Sequence, residues 1–522
     1  MIGPYLFLTV RNIPGQLISG VNAMQNRSAF NPHGLLHPLV LTVIVVACVR
    51  GIWVLGLRPV VRRIRGRRAR RIAAYLLCLA VLSGATIVAQ DKGKTGVVDG
   101  FWQMTAVLPD YDVTTTVRFR TAPDGETVEG VVLGPTSGRT GTFTGRLSGD
   151  RLSLTVPGPL GDMRADLTLS ADTLSGTWAA GAVQGGVTAV RKPSRQPETE
   201  YYAKYLNAVC DLLRDKFYDP RLGGADLPAL KARYLERLAT VKDDGDFVTL
   251  VRHLLAETRT SHTDFFLQPD TAVLTEKRPS IAFRALSPRV SYLGIRLFDA
   301  PAGQDRQSFY RALEGAFDKI GDSSALIVDL RGNRGGNLNV MFRTLGRFVK
   351  SGRDAAYVAA RKGIDSVANL SSAGGGVRPE VPVVKSSSNS MFADALRTGV
   401  AIVRIDAGQA KPYQGRIVAL IDEGCYSSCE LFAAILREEA GAVLVGRRSA
   451  GEVLGSEVYT IVKNMVVTRK DTGWRLEIPI FDFRTMKGDR IEGNGVKPDI
   501  ELAQGGTDDA ALAAALKYLG TM

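Results

Sequence analysis

Ile417-Val-Ala-Leu-Ile-Asp-Glu-Gly-Cys-Tyr-Ser427-Ser428-Cys429-Glu430 runs straight into the apolar stretch Leu431-Phe-Ala-Ala-Ile-Leu436. A short β-branched and aliphatic run, a Gly-containing turn and the immediate onset of a helical pattern predict a strand-to-helix corner with Ser427 on it. A hydroxyl at such a corner stands at the mouth of a sheet. The N–H groups that open the helix have no intrahelical acceptor and can face an anion. Acyl transfer needs that combination. The competing reading is a plain helix cap, with Ser427 satisfying orphan N–H groups and Glu430 complementing the helix dipole.

The surroundings of the corner predict a layered α/β core. Ala325-Leu-Ile-Val-Asp-Leu330 reads as a second buried strand and residues 442–445 as a third, with helical patterns between them. Upstream, Leu206, Val209, Leu212 and Leu213, then Phe247, Leu250, Val251 and Leu254, show the spacing of buried helical stripes. Residues 96–191 read as all-β. Val113, Thr115, Val117 and Phe119 alternate with Thr114, Thr116, Arg118 and Arg120, which is strand periodicity with one wet face. Turns at Pro123-Asp-Gly125 and Ser148-Gly-Asp150 suit a meander closing into a small barrel or sandwich. That region has no His or Cys, so it is expected to space, dock or present substrate rather than catalyse. The chain is thus multidomain: membrane anchor or signal region 1–90, all-β domain 93–192, helical subdomain 198–278, α/β catalytic core 280–508 and a C-terminal helix 509–522.

The net charge of +14 is local. Residues 1–71 hold 11 Arg and no Lys, Asp or Glu, so 14 − 11 leaves +3 for the rest. This excludes a phosphate-binding face, and no nucleic-acid partner is expected. Eight of those arginines lie within 58–71, flanked by apolar residues 35–57 and 72–89. The first stretch is long enough to span a bilayer, although Arg50 lies inside it. Arginines stay on the cytoplasmic side, so everything after Ala89 is delivered across. Either both stretches are membrane helices, or residues 72–89 are a signal peptide. Both readings put the bulk of the chain in the periplasm or outside the cell, and the chain as written favours the anchored form.

Five cysteines are too few for a disulfide scaffold. Cys425 and Cys429 bracket the corner serine. The tight turn between them favours two packed thiols over a bridge. No Cys or His pair at ligand spacing accompanies them, so neither a metal nor a cofactor is expected.

Three further segments can carry chemistry. Asp329-Leu-Arg-Gly-Asn-Arg-Gly335-Gly336-Asn337 ends a buried strand, and its glycines let backbone N–H groups approach a ligand closely. It lacks the ending of a phosphate loop and suits an oxyanion hole, with Gly335 or Gly336 donating alongside Ser428. Thr258-Arg-Thr-Ser261-His262-Thr-Asp264 is a polar loop after a helix, where a general base could be reached. His253 sits on the helix beside its apolar stripe and reads as structural. Ile491-Glu492-Gly-Asn-Gly-Val496 builds a tight turn that can hold Glu492 in one orientation.

These four segments, in this order, resemble the tricorn-core and C-terminal-processing family of serine peptidases over roughly residues 200–505. The glycine turn is similar to the family's Asp-Leu-Arg-x-Asn-x-Gly-Gly motif, and Ser427-Ser-Cys-Glu430 to its Ser-Ala-Ser-Glu nucleophile segment. The resemblance implies a core of Clp-protease and crotonase type. One branch of the family uses a lysine from a Gly-Lys-Gly segment, where this chain has Gly451-Glu452-Val453. The tricorn-like branch uses a Ser-His pair and a late Glu. The implied mechanism is therefore attack by Ser427 with His262 as base, Ser261 and Glu492 orienting the imidazole. About twenty residues separate Asp270 from Val290, too few for the PDZ domain many relatives insert there. The expected partner is a polypeptide or peptide substrate, and oligomerisation is left open. A catalytically silent peptide- or ligand-binding module on the same fold is the alternative.

Overall fold

The computed structural model describes residues 98–520 except 110, 137–139, 158–161, 182, 194–198, 268–273, 277, 301–303, 369–380, 389–390, 407–410, 462–472 and 504–507. The expected membrane segments and the arginines of 1–90 lie outside the described residues. Among the described residues, no helix is long and apolar enough to cross a membrane.

The all-β region is a closed barrel. Its strands are β1 (Gly100–Val107), β2 (Tyr111–Thr121), β3 (Thr127–Val132), β4 (Thr142–Ser148), β5 (Arg151–Val156), β6 (Met163–Ser170), β7 (Thr173–Ala180) and β8 (Val183–Lys192). Each pairs with the next, and β8 returns to β1, so no edge remains between first and last. The alternation in β2 does its work here. Val117 and Phe119 point inward and pack with Phe143, Leu152, Leu167 and Trp178.

The opposite face is not wet at Arg118 and Arg120, contrary to the sequence expectation. Arg118 is buried, and both arginines pair with Asp243 and Asp246 at the start of the helix Asp244–Ala256. A charge leaves water only with a partner at hand, and these carboxylates supply it. The helices Thr199–Lys216, Leu227–Arg237 and Asp244–Ala256 share one apolar cluster with barrel residues Phe101, Val131 and Leu133.

Beyond the helices come β9 (Asp264–Leu267), β10 (Leu274–Glu276), β11 (Ile281–Ser287), β12 (Val290–Ile295), β13 (Ala325–Asp329), β14 (Asp354–Ala360), β15 (Val383–Lys385), β16 (Val400–Arg404), β17 (Arg416–Ile421), β18 (Val443–Gly446), β19 (Gly455–Ile461), β20 (Trp474–Thr485) and β21 (Ile500–Glu501). They form two sheets, β11-β12-β13-β17-β18-β21 and β15-β16-β14-β20-β19, with β9 also on β20 and β10 extending the barrel from β2. Among the described residues, only β10 and β11 lie between β9 and β12. From β12 to β21 the first sheet is parallel, and its central strands are continuous apolar runs because both faces are covered. The helices Arg306–Ile320 and Ser428–Ala440 supply Phe309, Leu313, Phe432 and Leu436 to the main core cluster. Neighbouring parallel strands end at the same side of a sheet. Asp329 lies opposite Leu420 in the β13–β17 register, so the glycine turn and the Ser427 corner emerge side by side.

Candidate active site

Ser427 stands at the corner between β17 and the helix Ser428–Ala440, with φ 60° and ψ −133°. That left-handed geometry favours glycine, and an L residue there costs about 1–3 kcal/mol unless its surroundings enforce it. They do. Its N–H donates to Glu452 O at 2.7 Å, and the Tyr426 N–H donates to Asn333 O at 3.2 Å. A Cβ on Gly335 would fall 2.7 Å from the Ser427 Cβ, so only a glycine lets the turn reach the corner. The helix-cap reading fails: the Ser427 side chain makes no cap hydrogen bond, and its Oγ lies 3.1 Å from His262 Nε2.

Cys425 and Cys429 are joined in a disulfide, where the sequence favoured free thiols. The corner brings their Cα atoms to 5.5 Å, within the span a disulfide bridges. Both are fully buried.

The remaining candidates converge on the same point. Ser261 Oγ lies 2.8 Å from His262 Nδ1 and 2.9 Å from Glu492 Oε2. The buried Glu492 also accepts the N–H of Ser261 and the N–H of Val453, both at 2.9 Å. A proton count orients the chain. A carboxylate accepts only, so the single Ser261 hydroxyl hydrogen goes to Glu492. The Ser261 oxygen then accepts Nδ1–H, leaving Nε2 with the lone pair that faces Ser427 Oγ. Burial of the imidazole lowers its pKa to about 4, so the ring is neutral near pH 7.

The glycine turn is held by its polar side chains. Asp329 accepts from Tyr292 Oη at 2.8 Å and from Arg331 Nε at 2.9 Å, and Asn333 Nδ2 donates to Ile295 O at 2.8 Å. The Gly335 N–H is occupied by Asn333 Oδ1 at 2.8 Å. The N–H groups of Gly336 and Ser428 donate to no acceptor among the described residues. Ser428 Oγ donates to Gly336 O at 3.3 Å and ties the two together. A cavity of about 260 Å³ opens beside Ser427, lined by Leu338, Phe392, Val453, Ser456 and Phe483.

Two supports escaped the sequence reading. Glu430, expected to complement the helix dipole, is fully buried; it accepts from Ser449 Oγ at 2.5 Å and from the N–H groups of Gly451 and Glu452 at 2.7 Å. It thereby fixes the carbonyl that receives the Ser427 N–H. Burial pushes its pKa up to about 7 against those three donors. The second is Arg252. Its Nε donates to Asp264 Oδ1 at 2.9 Å, while Nη1 and Nη2 donate to the barrel carbonyls of Val132 and Gly134 at 2.6 and 2.7 Å. Asp264 also accepts the Thr136 N–H at 2.7 Å. The barrel thus grips both ends of the loop that carries His262. His253 faces solvent at the end of its helix and takes no part.

The peptidase family S41 model matches residues 289–502, and that of the tricorn protease C1 domain matches 198–256. This chain belongs to peptidase family S41 and is a serine-type peptidase. Similar solved structures include a lipoprotein from Streptococcus agalactiae, 14% identical with a TM-score of 0.44, covering 64% of this chain and 99% of that one. The photosystem II D1 C-terminal processing protease is 15% identical with a TM-score of 0.39, covering 60% and 97%. The tricorn protease is 13% identical with a TM-score of 0.38, covering 79% and 47%. No curated protein matches the chain.

Proposed function

We propose that the chain is an extracytoplasmic endopeptidase working through an acyl-enzyme, with Ser427 as nucleophile and His262 as general base. The observation that carries this reading is the continuous hydrogen-bonded chain Glu492–Ser261–His262–Ser427. Ser427 Oγ attacks the scissile carbonyl carbon and its proton passes to His262 Nε2. Ser261 and Glu492 hold the imidazole and stabilise the cation that forms. The oxyanion settles on the N–H groups of Gly336 and Ser428; Gly335, whose N–H is engaged by Asn333, shapes the turn instead. His262 then protonates the leaving amine as the C–N bond breaks. Water, deprotonated by the same nitrogen, releases the acyl group. Glu452 offers a backbone carbonyl, and no side-chain base is required of it.

Two features support a location outside the cytoplasm: the arginine-rich segment between apolar stretches, and a disulfide, which persists in oxidising compartments. Membrane attachment would come from residues 1–90.

The test is casein cleavage and fluorophosphonate labelling by the full-length protein and its Ser427→Ala, His262→Ala and Glu452→Ala variants. The first two are expected to lose activity by on the order of 10⁶-fold, leaving residual rates, while Glu452→Ala stays active. A folded parent that neither labels nor cleaves, yet binds peptides, would establish the silent module instead. A reporter enzyme that needs export, fused after Ala89, should be active; an inactive reporter would refute the location.

A further inference from the structure

The Cys425–Cys429 bridge takes no part in the proposed reaction, yet it encloses the groups that the reaction needs. The loop it closes spans a sequence separation of 4 and holds Ser427 and the N–H of Ser428. Inside it Ser427 keeps a backbone geometry that favours glycine. The bridge is a covalent restraint on a corner otherwise held by hydrogen bonds, among them Ser427 N–H to Glu452 O, Tyr426 N–H to Asn333 O, Ala450 N–H to Cys425 O and Ser428 Oγ to Gly336 O. Loop-closure stabilisation grows with loop length, so so short a ring adds little to global stability. Its effect falls on local geometry. Both sulfurs are fully buried, which places exchange before the corner closes and shields the bridge afterwards.

We propose that this disulfide is an assembly element of the nucleophile: the dithiol chain is a poor peptidase, and oxidation of the pair on leaving the cytoplasm completes the site. The proposal rests on the reading of Ser427 as nucleophile. The oxidant is a disulfide of the thiol–disulfide oxidoreductase class. One cysteine thiolate attacks an oxidant sulfur to give a mixed disulfide, and the second thiolate displaces it. The pair loses two protons and two electrons, and the oxidant leaves as a dithiol. The chain would therefore cross the cytoplasm with its nucleophile unformed.

The experiment uses the full-length protein produced in an oxidising and in a reducing compartment. Both samples are treated with a fluorophosphonate, alkylated and read by mass spectrometry over the peptide containing residues 425–429. The probe is expected on bridged molecules and at least tenfold less on doubly alkylated ones. In Cys425→Ala/Cys429→Ala, kcat is expected to fall about 10²-fold, the scale of a 1 Å misplacement, with KM within about threefold. Doubly alkylated molecules carrying the probe as fully as bridged ones would overturn the proposal, as would a folded double variant with wild-type kcat. If the double variant does not fold, the distribution of probe over the two wild-type populations decides. Failure of the nucleophile reading has a different signature: bridged wild-type protein that takes no probe, or Ser427→Ala that still does.

Discussion

The Ser427 corner and the histidine loop present the same local problem and solve it differently. Each holds a non-glycine residue in left-handed backbone, Ser427 at φ 60° and His262 at φ 56°. The corner is restrained largely from nearby: a bridge across a separation of 4, Glu452 O 25 residues on, and a glycine turn on the adjacent strand. The histidine loop is restrained from afar. Ser261 is held by a carboxylate 231 residues away, and Arg252 reaches barrel carbonyls at separations of 120 and 118. Local restraint follows once strand and helix form, whereas distant restraint requires the barrel and the C-terminal turn to have docked. Damage to the barrel face should therefore reach the proposed base before it reaches the proposed nucleophile.

The largest effect expected from breaking this contrast on the corner side is that of Gly335→Ala. The new Cβ would sit 2.7 Å from the Ser427 Cβ and 2.9 Å from Tyr426 O, on a residue at φ 84°. Neither contact is the end of a flexible side chain, so the corner or the turn must move. Activity should fall at least 10²-fold, with about 1–3 kcal/mol lost from stability. Fluorophosphonate labelling set beside urea unfolding checks both, and a variant with parental labelling would show that the turn does not shape the Ser427 corner.

On the histidine side the matching lesion is Glu492→Gln. The carboxylate receives three donors, and an amide keeps one acceptor oxygen while presenting an NH₂ to a donor it cannot satisfy. The Ser261 hydroxyl is then free to turn toward His262 Nδ1, which moves the imidazole proton to Nε2 and removes the base. A fall of about 10²–10⁴ in kcat with little change in KM is expected. An unchanged kcat would mean that Glu492 is a structural acid only.

Arg252→Met sharpens the long-range half of the comparison. It leaves Asp264 buried without its cation and should cost about 3–5 kcal/mol. Adding Asp264→Leu removes the orphaned charge and should restore much of the stability. The barrel carbonyls of Val132 and Gly134 still lose their donor, so kcat should stay depressed. Full recovery of both quantities would reduce the barrel to a packing partner without influence on His262.

The same contrast explains what was legible in the sequence. The corner, the glycine turn, Ser261-His262 and Glu492 each announce themselves by a local pattern: strand into helix, paired glycines after an apolar run, a polar loop, a Gly-rich turn. The disulfide was readable as two cysteines but not as a bond, because the decisive Cα separation is a property of the folded corner. Glu430 looked like an ordinary first-turn acid, since nothing near it reveals the 449–452 segment that packs over it. Arg118 and Arg120 looked solvated for the same reason: their carboxylate partners lie on another domain's surface, and charge pairing across domains leaves no periodicity to read. Arg252 pairs with Asp264 in its own subdomain, but its barrel acceptors Val132 O and Gly134 O are equally invisible in the sequence.

The smallest expected effect concerns pH and separates the two regions by titration. Kinetics of kcat/KM report the free enzyme, so the acid limb reflects protonation of the proposed base. Burial places the His262 pKa at about 4, against about 6.5 for an unperturbed imidazole. Activity should therefore hold nearly flat from pH 8 down to about 5 and fall only as pH approaches 4. For stability the sign follows from proton uptake. Between about 6.5 and 4 the unfolded chain binds a proton at this residue that the folded chain does not, so stability falls as pH drops through that window, and the contribution is fully present above it. Urea unfolding of the parent and of His262→Gln at pH 7.5 and 5 isolates the His262 contribution, the variant losing less on acidification. Glu430 itself titrates at about 7, so an acid limb of kcat/KM near 6.5 that persists in Glu430→Gln would mean that the ring is better solvated than its contacts imply, with the histidine loop open in the free enzyme.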